Sequence, residues 1–261
     1  MTASETIFFT RYFGILVGEK VDPSHKAWKL YQLLREIVSI VTAPFTTNSH
    51  LLQLSTLISE HHRLYIELYG DLSAKHHFTL HYFMLFKKYG PLIKICTARG
   101  ESKHRKLKQA LEGCCSHINV LKSLMIRYQL SEMHTKFLKY KECYISYTET
   151  KNIYDDLIEL NNVTINDVTY KPELTILVKI TSHLPEFGII KNIFLKNNEI
   201  IFEYVPLYVV GFDKHLCAYN VLKANDKVLI EIKYKDIPLR TPCVLYKKFD
   251  QELFVVTRHI F

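Results

Sequence analysis

Apolar residues recur three or four positions apart through much of the first two-thirds of the chain, which predicts amphipathic helices. The clearest helix covers residues 26–43 and stops at Pro44, which cannot continue it. A second begins near Ser49, with Asn48 or Ser49 as its N-cap. The predicted helices are, in chain order, 26–43, 49–70, 73–89, 100–112 and 117–140.

After Asn161 the pattern changes to short β-branched and aromatic runs separated by turn residues, which predicts strands at regular spacing. Asn197 and Asn198 indicate a hairpin turn, because asparagine tolerates positive φ. So many short strands favour a small antiparallel barrel or sandwich. The predicted strands are 174–181, 188–195, 200–205, 217–222, 228–233, 244–247 and 254–258.

The predicted fold class is therefore α+β, with a mostly helical domain over residues 1–162 and a small β-rich domain over residues 163–261. The composition agrees with a folded protein, since 48% of the residues are hydrophobic and 13% are aromatic. We expect neither secretion nor membrane insertion, because residues 1–18 lack a basic start and no long uncharged apolar stretch exists. The predicted location is the nucleus or cytoplasm, where the six cysteines stay reduced.

Positive charge is concentrated in one short segment. Residues 75–108 carry nine basic residues against Glu101 alone, a net charge of +8 that equals that of the whole chain. Such a cluster indicates a polyanionic partner, and nucleic acid is the predicted one. The alternative is a solvated helix face with ordinary basic decoration. The predicted nucleic-acid-binding residues are Lys75, Lys87, Lys88, Lys94, Arg99, Lys103, Arg105, Lys106 and Lys108.

Common catalytic motifs are absent, since the sequence contains neither a glycine-rich phosphate loop nor a nucleophile-elbow serine. Cys114, Cys115 and His117 with His104 lack the paired spacing that zinc sites require. The histidines at positions 61, 62, 76, 77 and 81 are interpreted as structural or helix-face residues. On charge pattern alone, Glu101 is expected to form an ion pair.

Several short motifs nevertheless occur in a specific order. A Lys-His-His-Phe segment at residues 75–78 leads to His81-Tyr82, a Gly90-Pro91 turn follows, and Arg99-x-Glu101-x-Lys103-His104 completes the run. This arrangement resembles the end of the catalytic region of CACTA-type transposases, including their animal relatives. The resemblance extends to further segments on both sides, namely Trp28 to Tyr31, Ile58 to His62, Leu184 to Gly188, Ile190, Ile193, His215 and Tyr219.

The resemblance implies that the helices are an insert and the last catalytic helix of a ribonuclease H-like fold. In that family three carboxylates bind two divalent metal ions for DNA strand cleavage and transfer, and Glu101 matches the third carboxylate. The first two would precede this chain, so the resemblance implies a fragment or a degenerate copy that lacks the active site. No cofactor is expected, whereas a complete family site would bind magnesium. Gly100 and Cys96 replace the aromatic residue and the tryptophan that the family usually has.

Three functions follow from these observations. The first is a transposase-derived protein that binds DNA without sequence preference, because phosphate contacts carry no sequence information. The second is a protein–protein interaction module that acts through residues 163–261. The third is an active nuclease, which would require Glu101, Asp71 and Glu67 to converge.

Overall fold

The computed structural model describes residues 2–112, 118–140, 145–147, 150–154, 157–166, 168–181, 184–197, 199–248 and 251–258. Helices occupy the first part of the described chain and antiparallel strands the second. The α+β class is therefore confirmed. None of the described helices is long and apolar enough to span a membrane.

The helices agree with the prediction in most places. They are α1 (Ala3–Val17), α2 (Lys26–Val41), α3 (Asn48–Tyr69), α4 (Ala74–Leu80), α5 (Tyr82–Tyr89), α6 (Ala98–Glu112) and α7 (Val120–Tyr140). Short 3₁₀ turns add Gly18–Lys20, Leu92–Lys94 and Tyr234–Asp236.

Three local features differ from the sequence prediction. Helix α1 was not predicted at all. The N-cap of α3 is Thr47, whose hydroxyl accepts from the His50 amide, so neither Asn48 nor Ser49 is the cap. The predicted helix over 73–89 is broken at His81, which serves as both the C-cap of α4 and the N-cap of α5.

The strands are β1 (Ile145–Ser146), β2 (Thr150–Tyr154), β3 (Leu157–Leu160), β4 (Val163–Ile165), β5 (Val168–Tyr170), β6 (Thr175–Ile180), β7 (Pro185–Lys196), β8 (Glu199–Asp213), β9 (Ala218–Lys223), β10 (Ile230–Lys233), β11 (Leu239–Lys247) and β12 (Leu253–Val256). Strands β1, β4 and β5 form a small sheet, and the other described strands form a larger one. All of the pairings are antiparallel. The β-rich part begins at Ile145, ahead of residue 163 where the sequence placed it.

Strands β7 and β8 organise the larger sheet. They form a hairpin in which Lys196 lies opposite Glu199, and Asn197 has φ +46° at the turn between them. Successive pairings lead from β8 through β9, β12, β11, β6 and β7 back to β8. Buried side chains form two clusters on opposite faces of this sheet, one that contains Phe202 together with Tyr170 of β5 and one that contains Phe187 and Val255.

Helices and strands share a buried contact. Tyr12 and Ile15 of α1 pack against Leu216, Phe254 and Val256 of the β-rich part. Gly14 and Gly18 permit this approach, because a Cβ on either glycine would lie 2.7 Å from an atom of Leu216. A separate apolar core in the helical part is formed mainly by one face each of α2, α3 and α5.

Candidate nucleic-acid interface

Consecutive short elements carry the basic residues of the predicted interface. Lys75 lies on α4, and Lys87 and Lys88 occupy the last turn of α5, where a cation interacts favourably with the helix dipole. Lys94 follows in the 3₁₀ turn after Pro91. Arg105 and Lys108 lie three residues apart on α6 and therefore share a face of that helix. All six of these side chains are exposed.

The remaining predicted site residues also lie on helix α6. Arg99, Glu101, Lys103 and Lys106 belong to the helix, but their side chains are outside the described part of the structure. The helix begins at Ala98 and runs through Gly100, whereas the sequence placed its start at about Gly100. Glu101 therefore lies in a helix, as the resemblance implies.

The described cations of the cluster have no ion pairs among the described residues, a property that they share with Lys179, Lys196, Lys227 and Lys247 of the β-rich part. The six cations form no ion pair with a carboxylate of the described residues, and Lys88 instead lies 5.2 Å from the centre of the Tyr89 ring. Elsewhere, acidic partners accompany Lys26, Lys29, Arg63, Lys191, Lys223, Lys233, Lys235 and Lys248. Among the described residues, the positive charge of these six cations is therefore not balanced by a direct ion pair.

Histidines attach α4 to α3 behind this cluster. The rings of His61, His62 and His76 lie with their centres 5.4 to 6.0 Å from each other, and His76 also packs 4.2 Å from Tyr65. His62 Nε2 is 3.0 Å from Thr79 Oγ1 on α4. Burial, followed by the nearby His62 and His76, lowers the pKa of His61 to about 4. His61 is therefore neutral at pH 7 and acts as a packing residue.

The described residues do not provide the magnesium site that a complete family site would have. Glu67 forms ion pairs with Lys26 and Arg63. Within the described ranges, no three His, Cys, Asp or Glu side chains converge closely enough to hold a metal ion. Cys114, Cys115 and His117 lie outside those ranges, and His104 is exposed on α6.

Sequence reasoning missed a second group of basic residues, where α1 and α2 meet the β-rich part. Arg35 is buried, and its guanidinium donates to the Arg11 carbonyl (3.1 Å), to Ser39 Oγ and to the Thr257 carbonyl (3.0 Å). Arg11 in turn donates to Thr42 Oγ1 at 2.6 Å. No spacing signal could identify these residues, because Arg35 and Thr257 are 222 positions apart.

Two of the segments that resemble the transposase family outside residues 75–104 also contact each other. Trp28 donates from Nε1 to the His215 carbonyl at 3.2 Å, and the two rings lie 5.2 Å apart. Tyr219 packs against Phe187 and Phe212 in the β-rich part. No protein-family model matches the chain, and no curated protein is similar to it. The resemblance to CACTA-type transposases therefore stays a prediction.

Proposed function

We propose that this protein binds nucleic acid through the basic cluster of residues 75–108. The observation that carries the proposal is the set of exposed cations on α4, α5, α6 and the turn between α5 and α6, which form no ion pair with any described carboxylate. Lysine and arginine in such a setting neutralise backbone phosphates and release counterions. The binding is electrostatic, so it depends strongly on salt and little on DNA sequence.

We further propose that the chain derives from a CACTA-type transposase and acts as a binding protein in the nucleus. The single matching carboxylate, Glu101, and the engagement of Glu67 by two cations support a degenerate metal site. The cycle of pairings through β8, β9, β12, β11, β6 and β7 supports a small barrel as the fold of the β-rich part.

The test is the fluorescence anisotropy of a labelled DNA duplex, measured from 50 to 200 mM salt with and without magnesium. If the six described cations each neutralise a phosphate, affinity falls by about three orders of magnitude across this range. Magnesium-dependent cleavage would instead identify a nuclease and contradict the proposed degenerate site.

Two charge-matched variants locate the binding surface. The first reverses Lys87, Lys88, Arg105 and Lys108 to glutamate. The control reverses four exposed cations of the β-rich part, Lys179, Lys196, Lys227 and Lys247, and so changes the net charge equally. We expect the first variant to lose binding at 100 mM salt and the control to retain most of it. Equal losses in the two variants would show that net charge, and not the cluster, determines affinity.

A second candidate function is protein interaction through the β-rich part. Tyr208 and Leu222 lie opposite each other on β8 and β9 and are 60% and 62% exposed, and Val210 beside them is 60% exposed. Such neighbouring apolar side chains are typical of an interaction surface. Light scattering of wild type and of a Tyr208→Ser, Leu222→Ser double variant tests whether this surface joins two copies. DNA binding should be the same in both proteins.

A further inference from the structure

A basic cleft lies where the helical and β-rich parts meet. It has a volume of about 700 Å³ and is open to solvent along one side. Sites for small molecules commonly occupy such junctions and have volumes of this order. The described lining residues are Ser4, Ile7, Arg11, Thr42, Pro44, Ile93, Lys94, Leu239, Thr241 and Arg258.

The described lining of the cleft is positively charged. Arg11, Lys94 and Arg258 contribute three cations, and none of the described lining residues is acidic. Arg35 lies directly behind Arg11, and all three of its hydrogen bonds go to uncharged oxygen atoms. Burial and the nearby Arg35 and Arg258 lower the pKa of Arg11 to about 10, which still leaves it charged at pH 7. An anion in the cleft would relieve this repulsion.

Two polar atoms of residues that line the cleft also lack hydrogen-bond partners among the described residues. Arg11 Nε and Thr241 Oγ1 are buried and have no hydrogen-bond partner among the described residues. Buried polar groups usually have partners, and leaving one unpaired is unfavourable. Both side chains line the cleft, so the wall combines guanidinium, ammonium and hydroxyl groups. These are the groups that bind phosphate oxygens in proteins.

Apolar side chains complete the lining. Ile7 of α1, Pro44, Ile93 and Leu239 of β11 contribute hydrocarbon surface to the same cleft. A bare inorganic anion would leave this surface and most of the volume unfilled. The lining therefore favours a ligand that combines an anionic group with an apolar organic group.

We propose that this cleft binds a small organic phosphate monoester. Three cations with no acidic residue among the described lining suit a dianion better than a monoanion, which favours a phosphate over a carboxylate. The phosphate lies between Arg11, Lys94 and Arg258, and the organic group lies against the apolar wall. The proposal does not depend on nucleic-acid binding, although Lys94 belongs to both features.

Isothermal titration calorimetry with phenyl phosphate tests the proposal. Benzoate and phenol serve as the monoanionic and neutral probes, and inorganic phosphate lacks the organic group. We expect phenyl phosphate to bind at least tenfold more tightly than each of the other three. If benzoate bound more tightly than phenyl phosphate, the cleft would prefer a carboxylate and the proposal would be wrong. If inorganic phosphate bound as tightly as phenyl phosphate, the apolar wall would have no role in binding. No heat and no ³¹P shift with phenyl phosphate at millimolar concentration would overturn the proposal.

Substitutions in the full chain test whether phenyl phosphate binds in this cleft. Arg258→Gln removes an exposed cation of the cleft and should weaken phenyl phosphate binding at least tenfold. Lys196→Gln, on the β7–β8 hairpin, is the control and should leave binding unchanged. The charge reversal of Lys87, Lys88, Arg105 and Lys108 separates this proposal from the proposed function, because it should abolish DNA binding and retain phenyl phosphate binding. Unchanged affinity in Arg258→Gln would place the ligand elsewhere.

Discussion

Replacement of Arg35 by methionine is expected to lower the free energy of unfolding by about 3 kcal/mol. The Arg35 guanidinium joins three parts of the chain, since it donates to α1 at the Arg11 carbonyl, to α2 at Ser39 and to the Thr257 carbonyl after β12. Methionine retains much of the hydrocarbon volume and removes all three hydrogen bonds. The variant therefore isolates the polar contribution of this contact.

Two opposing terms determine the magnitude. Hydrogen bonds from a charged donor contribute about 1.5 to 3 kcal/mol each, so three of them total roughly 5 to 9 kcal/mol. Removal of a buried cation that repels Arg11 recovers part of this loss, because burial of a charge opposes folding. About half of the gross loss is expected to remain. In a domain of this size, about 3 kcal/mol corresponds to a fall in Tm of roughly 6 to 12 °C.

Urea unfolding monitored by tryptophan fluorescence measures this effect. Trp28 is the one tryptophan of the chain and packs against His215 at the same junction, so its emission reports directly on this contact. Lys29→Met is the control on the same helix, because Lys29 forms an exposed ion pair with Glu60 that contributes at most about 1 kcal/mol. The reasoning would be refuted if Arg35→Met were as stable as wild type, which would mean that relief of charge burial fully offsets the lost bonds.

Two further predictions concern the helical core and the sheet. Because the pKa of His61 is lowered from 6.5 to about 4, the unfolded chain binds more protons than the folded chain in this range. Stability should therefore fall by up to about 3 kcal/mol as pH drops from 6.5 to 4, and His61→Phe should flatten this dependence in urea titrations, whereas His50→Gln should not. Gly188→Ala should destabilise by about 1 to 3 kcal/mol, because its Cβ would lie 2.2 Å from the Tyr204 ring. A Cβ at Gly211 on β8 would have no atom within 4 Å, so Gly211→Ala should change stability by less than about 0.5 kcal/mol. Equal shifts in Tm for Gly188→Ala and Gly211→Ala would contradict this packing argument.

The strands could be predicted because alternation and turn residues are local signals. Each of the seven predicted strands overlaps a strand of the structure, and Asn197 lies at the predicted hairpin. Strands β1 to β5 were not predicted, since most contain only two to four residues and offer too few positions for an alternating pattern.

Helix α1 could not be predicted from periodicity. Tyr12 and Ile15 are buried, whereas Phe8, Phe9 and Leu16 are exposed apolar residues of the same helix. Apolar side chains on several faces leave no distinct stripe, so the spacing lacks the usual helical signal. The break at His81 is likewise absent from the pattern, because the apolar spacing continues from α4 into α5.

The two basic features also differ in how far the sequence reveals them. The cluster of residues 75–108 is contiguous, so a count of charges along the chain identifies it. The cleft draws Arg11, Lys94 and Arg258 from three distant segments. Only the packing of α1 against the β-rich part brings them together, and that packing depends on Gly14 and Gly18 approaching Leu216 closely.

The same difference leads to different expectations for binding. Lys87, Lys88, Arg105 and Lys108 are exposed, so salt weakens their interaction with phosphates. The Debye length, over which such an interaction decays, is about 10 Å at 0.1 M salt. Arg11 is partly buried, and a charge in such a position is screened much less. The contribution of Arg11 to binding in the cleft should therefore fall less with salt than DNA binding to the cluster does, whereas the contributions of the exposed Lys94 and Arg258 should be screened normally. A series of exposed cations along the chain suits a chain of phosphates, whereas three cations around one cleft suit a single dianion, and for this reason we assign the two features to different ligands.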